Sequence, residues 1–121
     1  MKIQNFEDIE AWKKSRHLTK LIYQITSHKG FNNDWTLKDQ IRRAAISIMS
    51  NIAEGFDCGF RLEFARFLSI ARRSASEVQS HLYVALDQEY IDKNGFDFVY
   101  KQSEEIRKMI TGFIQYLKNI K

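Results

Sequence analysis

The clearest hydrophobic period in the chain lies between Phe60 and Glu89. Apolar side chains recur there at intervals of three and four residues, the spacing of one face of an α-helix. They are Phe60, Phe64, Phe67, Leu68, Ala71, Ala75, Val78, Leu82, Ala85 and Leu86. The pattern predicts a helix over about residues 60–89 that lies at the centre of a core.

Two neighbouring stretches carry the same period with recognisable start signals. Residues 36–56 hold a narrow stripe of small and branched apolar side chains, and Thr36 with Asp39 resembles a capping box. Residues 93–119 approximate a heptad seam with Ser103 in its one polar position, and Asp92 precedes them as a candidate cap. We expect a helix in each stretch.

The first helix is predicted over residues 6–27, with Asn5 as its cap. Its apolar sector is broad, because two adjacent sides carry apolar or aromatic residues. The first side holds Ala11, Leu18, Leu21, Ile22 and Ile25, and the second holds Ile9, Trp12, Thr19 and Tyr23. A single core does not easily use both sides, so we expect the second side to contact another subunit.

The absence of proline and the low glycine count of five favour long helices over a β-rich fold. Four amphipathic helices joined by short loops pack most simply as an antiparallel up-down-up-down bundle. A chain of 121 residues is long enough for one such domain, over residues 1–121. We therefore predict an all-α four-helix bundle.

The second helix has an unusual polar face opposite its isoleucine stripe. The face carries Gln40, Arg43, Ser47, Asn51 and Glu54 at helical spacing. Serine and asparagine are mediocre helix formers, so exposure to solvent alone does not explain them. Arg43 and Glu54 are separated by roughly 16 Å of helix and cannot pair with each other. We expect their partners on other elements.

A similar stripe on the third helix carries Glu63, Arg66, Arg73 and Glu77. Two interpretations remain open for it. The residues lie at spacings of three and four, so they can form local surface ion pairs that each contribute little. Together with Arg42, Trp12, Tyr23 and the polar face of the second helix, they can instead form a polar network or an interface between subunits.

The formal charge of +4 permits nucleic-acid contact without requiring it. We expect Arg42, Arg43, Arg72 and Arg73 to pair with carboxylates inside the assembly. The better candidates for phosphate contact are Lys13, Lys14, Arg16 and Lys20, which would form a solvent-facing basic strip.

Signs of catalysis and of metal binding are weak. Glu77 and His81 lie four residues apart and could flank one metal ion, but the paired carboxylate and Glu-x-x-His motifs of di-iron bundles are missing from the sequence. No phosphate-binding glycine loop or nucleophile elbow occurs. We predict a protein that is not an enzyme and that needs no cofactor and no metal.

Two observations bear on location. The single cysteine, Cys58, fits a reducing compartment. The longest uncharged run has ten residues, which is too short to span a bilayer, and the N-terminus lacks an export signal. We expect a cytoplasmic protein without membrane contact.

Three segments resemble a known family. They are "FEDIEAWKKS", "LKDQIRRAAISIMSNIAEGF" and "EFARFLSIARRSASEV". They are similar to the four-helix-bundle proteins encoded in intervening sequences of bacterial large-subunit ribosomal RNA genes. The same fold resembles the accessory variability protein of diversity-generating retroelements.

The resemblance implies a homopentamer, a barrel of five bundles around a central channel. It also implies a role with RNA or a nucleic-acid-bound protein, and no catalytic chemistry. The matching polar positions are Gln40, Arg42, Arg43, Ser47, Asn51, Glu54, Glu63, Arg66, Arg72, Ser74 and Glu77.

A protein-binding adaptor without nucleic acid is the alternative. Four aromatic residues could anchor a partner, since buried aromatic side chains dominate many interfaces. They are Trp12, Tyr23, Trp35 and Tyr90. Packing of these rings in the core or between subunits is the other interpretation of the same residues.

Overall fold

Four α-helices make up most of the structure, a computed structural model that describes residues 2–120. They are α1 (Glu10–Thr26), α2 (Trp35–Asp57), α3 (Arg61–Asp87) and α4 (Lys93–Asn119). Two short 3-10 turns precede α1 and α2, and residues 2–120 contain no strand. The predicted all-α four-helix fold is confirmed.

The first helix starts later than its sequence pattern predicts. Phe6–Asp8 form a 3-10 turn, Ile9 is extended, and α1 begins at Glu10. The Asp8 carboxylate accepts hydrogen bonds from the backbone N–H groups of Gln4 and Asn5, each at 3.0 Å. These bonds hold the pKa of Asp8 below its ordinary value and stabilise the turn as a separate element.

The predicted capping box of Thr36 and Asp39 is wrong. The cap of α2 is Asp34, whose Oδ1 accepts a hydrogen bond from the Leu37 N–H at 3.0 Å. Its Oδ2 accepts the Tyr90 hydroxyl at 3.0 Å, a bond that raises the pKa of Tyr90. Asp34 therefore joins the start of α2 to the segment that follows α3.

The ends of α3 differ from the prediction by one or two residues. Phe60 is extended rather than helical, and 73% of it is exposed, so its expected place in the core is wrong. Glu89 has a φ of 61°, a left-handed conformation that does not continue a helix. The predicted cap of α4 is confirmed, because Asp92 Oδ1 accepts the Gly95 N–H at 2.7 Å.

The core is formed by the predicted apolar stripes of all four helices. Fully buried side chains include Ile22 of α1, Ile48 of α2, Leu68 of α3 and Ile110 of α4. Ile9 is also buried, so part of the second apolar side of the N-terminal segment is used within the chain.

Contacts between α2 and α3 occur in opposite order along the two helices. Near the end of α2, a Cβ added to Gly55 would lie 2.6 Å from the Cβ of Phe67 in the first half of α3. In the middle of both helices, the Ser74 hydroxyl donates to the Ser47 hydroxyl at 2.9 Å. This close approach sets the polar face of α2 beside the polar stripe of α3.

The same opposite order holds between α3 and α4. Arg61 at the start of α3 donates to the carbonyl of Leu117 near the end of α4. Further along α3, the Ala75 carbonyl accepts the Ser103 hydroxyl at 3.0 Å. Within residues 2–120, none of the helices is long and apolar enough to cross a membrane.

Candidate functional site

The polar residues predicted on α2 and α3 form one row on each helix, and the hydrogen bond between Ser47 and Ser74 joins the two helices beside these rows. We call the two rows together the α2–α3 polar face. Its members are Gln40, Arg43, Ser47, Asn51 and Glu54 of α2, and Glu63, Arg66, Arg73 and Glu77 of α3. Because α2 packs directly on α3, a ligand or a second protein could contact both rows at once.

The short side chains in the middle of this face are explained by contact between the two helices. Asn51 Nδ2 donates to the Ser47 carbonyl at 2.8 Å and to its hydroxyl at 3.0 Å. The Ser47 hydroxyl also accepts from Ser74, which is buried. Serine suits this position because its small side chain allows the backbones to approach and its hydroxyl bridges them.

The charged members of α2 behave differently from the expectation. Arg43 Nε lies 2.8 Å from Asp39 Oδ2, one turn earlier on the same helix, so the expected partner on another element is wrong. Both side chains are exposed, and such a pair contributes little to stability. Gln40 and Glu54 are exposed, and the structure records no hydrogen bond for their side chains within residues 2–120.

On α3 the face contains one local ion pair. Arg66 Nε lies 2.7 Å from Glu63 Oε1, at a spacing of three residues. Arg73 and Glu77 are both exposed and form no ion pair with each other in the described part of the chain. Two charged side chains at the centre of the face are therefore available to a partner.

Arg42 lies at the α1–α2 contact rather than on the polar face. Its Nε donates to the Thr26 hydroxyl at 2.8 Å, and its guanidinium lies 4.2 Å from the centre of the Tyr23 ring. Within residues 2–120, a hydroxyl and a ring therefore contact Arg42, and no carboxylate forms an ion pair with it. Tyr23 remains 40% exposed beneath it.

The four residues of the predicted basic strip are all exposed on α1. Lys13 Nζ lies 3.4 Å from Glu10 Oε1, which partly neutralises it. Arg16 and Lys20 follow Lys13 at spacings that place all three on one side of the helix. Lys14 lies beside them.

Of the four aromatic residues considered as anchors, one is largely exposed. Trp35 is 74% exposed at the start of α2, with the Lys38 ammonium 4.0 Å from its ring centre. Trp12 packs edge-on against Phe6, and Tyr90 stacks on Phe31. Packing within the chain therefore accounts for Trp12 and Tyr90.

In the described part of the chain, Glu77 and His81 form no metal-binding cluster with a third candidate ligand. Within residues 2–120, no three side chains of His, Cys, Asp or Glu come close enough together to hold a metal ion.

A model of the 23S rRNA-intervening sequence protein family matches residues 7–112. The chain belongs to this family. The family resemblance predicted from the sequence is thereby confirmed.

One solved structure is similar over most of both chains. It is a protein of unknown function of the S23 ribosomal protein family from Bacteroides thetaiotaomicron, 26% identical in sequence with a TM-score of 0.79. The similarity covers 87% of this chain and 98% of that one. Among curated proteins, none matches.

Three further side chains of this region bear on the site: Ile46, Val84, and His81, which the sequence suggested as a possible metal ligand. Ile46 of α2 and Val84 of α3 are each 42% exposed, beside polar-face residues. His81 lies in a cleft of about 410 Å³ that Gln40 and Val84 also line. Its Nε2 atom is buried and has no hydrogen-bond partner from residues 2–120. The exposure of Ile46 could be predicted from its position on the side of α2 away from the buried stripe. The burial of His81 Nε2 depends on how the helices pack and could not be predicted from the sequence.

Proposed function

We propose that this chain assembles with copies of itself into a ring, with five subunits favoured, and serves as a non-enzymatic scaffold that contacts RNA or a nucleic-acid-bound protein. The subunit in this proposal is an antiparallel up-down-up-down bundle. The opposite order of contacts between α2 and α3 and between α3 and α4 supports that arrangement.

The α2–α3 polar face is the proposed surface of assembly. The observation that carries this is the exposure of two apolar side chains, Ile46 of α2 and Val84 of α3, each 42% accessible in the single chain. A second copy on the face could cover both of them. Arg73 and Glu77 would then fix the register between subunits.

The RNA part of the proposal has separate support. The family description refers to the intervening sequences of 23S rRNA. The basic strip of Lys13, Lys14, Arg16 and Lys20 offers exposed positive charge, which favours approach to phosphate. Several copies of this weak binding patch in one ring would raise the overall affinity through avidity.

The lone Cys58 is consistent with a reducing compartment, so we assign the scaffold to the cytoplasm.

Sedimentation equilibrium tests the assembly. Five copies of the 14.3 kDa chain predict a particle of about 72 kDa that persists on dilution to low micromolar concentration. A folded 14.3 kDa monomer at the same concentration would overturn the proposed ring.

Fluorescence anisotropy with a labelled single-stranded RNA tests the nucleic-acid role. Binding that weakens as KCl rises from 50 to 200 mM would support phosphate contact, because bound phosphates release counterions. Absence of binding at 50 mM KCl would overturn the RNA role. The proposed assembly would then still be tested separately, by the mass from sedimentation equilibrium.

A further inference from the structure

The net positive charge of the chain is concentrated in the first half of α3 and the second half of α4. Residues 61–76 and 106–120 together hold seven Arg or Lys residues and one carboxylate, Glu63. The whole chain has nineteen basic and fifteen acidic residues, so the remainder carries twelve basic and fourteen acidic ones. The net positive charge therefore arises from these two stretches.

Helix packing brings part of this charge into one depression, which we call the α3–α4 cleft. The cleft has a volume of about 270 Å³. Arg66, Arg72 and Lys118 line it with the Ser69 hydroxyl, and Leu62 and Ile114 contribute apolar walls. Among its described lining residues there is no carboxylate.

Arg72 is held in the cleft without being neutralised. Its Nη1 donates to the Thr111 hydroxyl at 3.2 Å, while that hydroxyl donates to the Arg107 carbonyl at 2.9 Å. A neutral oxygen orients the guanidinium, and the expected carboxylate partner is absent from the described residues. The other N–H groups of Arg72 donate to none of the described residues and can bind an anion in the forked geometry that phosphate prefers.

The other two cations differ in their availability. Lys118 is exposed at the end of α4 and forms no ion pair with the described residues 2–120. Arg66 shares its charge with Glu63 through Nε, at 2.7 Å. The cleft thus offers two unneutralised cations and a third that is partly compensated.

The α1 basic strip lacks these features. It is an exposed helical surface, and three of its four cations are lysines. Lysine provides a hydrated point charge on a flexible chain, whereas a partly buried arginine is pre-organised for bidentate contact. The strip therefore suits long-range attraction, and the cleft suits close contact with one phosphate at a time.

We propose that the α3–α4 cleft binds the phosphodiester backbone of single-stranded RNA, with Arg72 and Lys118 as the principal phosphate contacts. The proposal rests on the RNA role proposed above and locates its principal contact away from the strip. A narrow cleft admits one strand more readily than a duplex. Phosphate contacts position a strand without selecting its sequence, so we expect weak base preference.

The experiment measures the affinity for a fluorescein-labelled twelve-nucleotide oligouridylate by anisotropy at several KCl concentrations. For the double variant R72Q/K118Q we expect at least a tenfold loss of affinity at 50 mM KCl. The slope of log K against log salt should fall by about 1.4, since each lost contact to a single strand contributes about 0.7. R72K keeps the positive charge but loses the bidentate geometry of the guanidinium. Its affinity should lie between those of the double variant and the parent.

Two controls carry matched changes of charge. K14Q/K20Q removes two cations from the strip, and K101Q/K108Q removes two exposed cations of α4 that lie outside both the cleft and the α2–α3 polar face. We expect the affinity of each control variant for the oligouridylate to fall by less than threefold. Circular dichroism and sedimentation of every variant check the fold and the mass, and if R72Q does not fold, exposed Lys118 is tested alone as K118Q.

The possible outcomes separate the two proposals. If K14Q/K20Q loses as much affinity as R72Q/K118Q, the cleft assignment is overturned while RNA binding stands. If the parent protein binds no oligouridylate, both the RNA role and the cleft assignment fail. Equally tight binding of polyglutamate would also contradict the assignment, because it would indicate a site for acidic peptides.

Discussion

Gly55 is the residue at which α2 and α3 leave no room for a side chain. An added Cβ would lie 2.6 Å from the Cβ of Phe67 and 2.8 Å from Cδ1 of Phe64. Both distances are far below van der Waals contact. Glycine is therefore required here by the approach of the two helices, and not by a special backbone conformation, since Gly55 is helical.

The substitution Gly55→Ala should destabilise the protein by about 1–3 kcal/mol, because overpacking forces side chains or backbone to shift. Urea denaturation followed by circular dichroism measures the change. The matched control is Gly112→Ala, at an exposed position of α4 where an added Cβ meets nothing within 4 Å. Helix propensity alone predicts that Gly112→Ala raises the free energy of unfolding by up to about 1 kcal/mol. A neutral Gly55→Ala would contradict the close packing.

Glu104 links α4 to α3 through charge-assisted hydrogen bonds. Gln79 Nε2 donates to its Oε1 at 2.9 Å, and Arg107 Nη1 donates to the same oxygen at 2.8 Å. The bond from Gln79, followed by that from Arg107, holds the pKa of Glu104 below its ordinary value of 4.5. A carboxylate with a lowered pKa stabilises the folded state above its ordinary value, and this stabilisation is lost as pH falls through the folded pKa.

Glu104→Gln should therefore reduce the fall in unfolding free energy between pH 6 and pH 3. The urea midpoint at each pH measures the effect, and the difference between variant and parent isolates this carboxylate. Glu105→Gln, at an exposed neighbouring position, keeps both partners of Glu104 and should follow the parent. An unchanged pH profile for Glu104→Gln would show that the two bonds do not favour the charged form.

At the scale of elements, the start of α2 depends on Asp34. One carboxylate oxygen caps the helix and the other accepts the Tyr90 hydroxyl, so a single side chain fixes the helix start against the α3–α4 connection. The sequence pattern indicated Thr36 and Asp39 as the cap instead. Only the turn at Phe31–Asn33 decides that the chain enters the helix at Asp34.

Asp34→Ala should cost about 1–2 kcal/mol of stability, the usual range for the loss of an N-cap. Thr36→Ala should change stability by less than about 0.5 kcal/mol, as at most surface positions. Equilibrium urea unfolding of both variants gives the comparison. A larger loss for Thr36→Ala than for Asp34→Ala would restore the capping box predicted from the sequence.

At the scale of the whole molecule, the α2–α3 polar face differs from an ordinary helix surface. It combines two exposed apolar residues, Ile46 and Val84, with two exposed charged residues, Arg73 and Glu77, that form no ion pair within residues 2–120. In the proposed ring these features lie between subunits. A single chain in water would leave them uncompensated.

Ile46→Glu should reduce the assembly to smaller species, because the proposed interface would bury a carboxylate without a partner. Sedimentation velocity measures the mass distribution. Phe98→Glu introduces the same side chain at another exposed apolar position, on α4, where 53% of Phe98 is accessible, and we expect it to keep the mass of the parent. An unchanged mass for Ile46→Glu would exclude this face as the interface.

The residue types and their spacing determined the four helices and most of their buried stripes, because helical periodicity is a local property of the sequence. The segments around Arg42 and Asn51 were also specific enough to indicate the family. The tertiary structure alone decided which polar groups meet. Hydroxyls rather than carboxylates hold Arg42 and Arg72. These partners depend on the rotation and separation of packed helices, which a one-dimensional pattern does not fix.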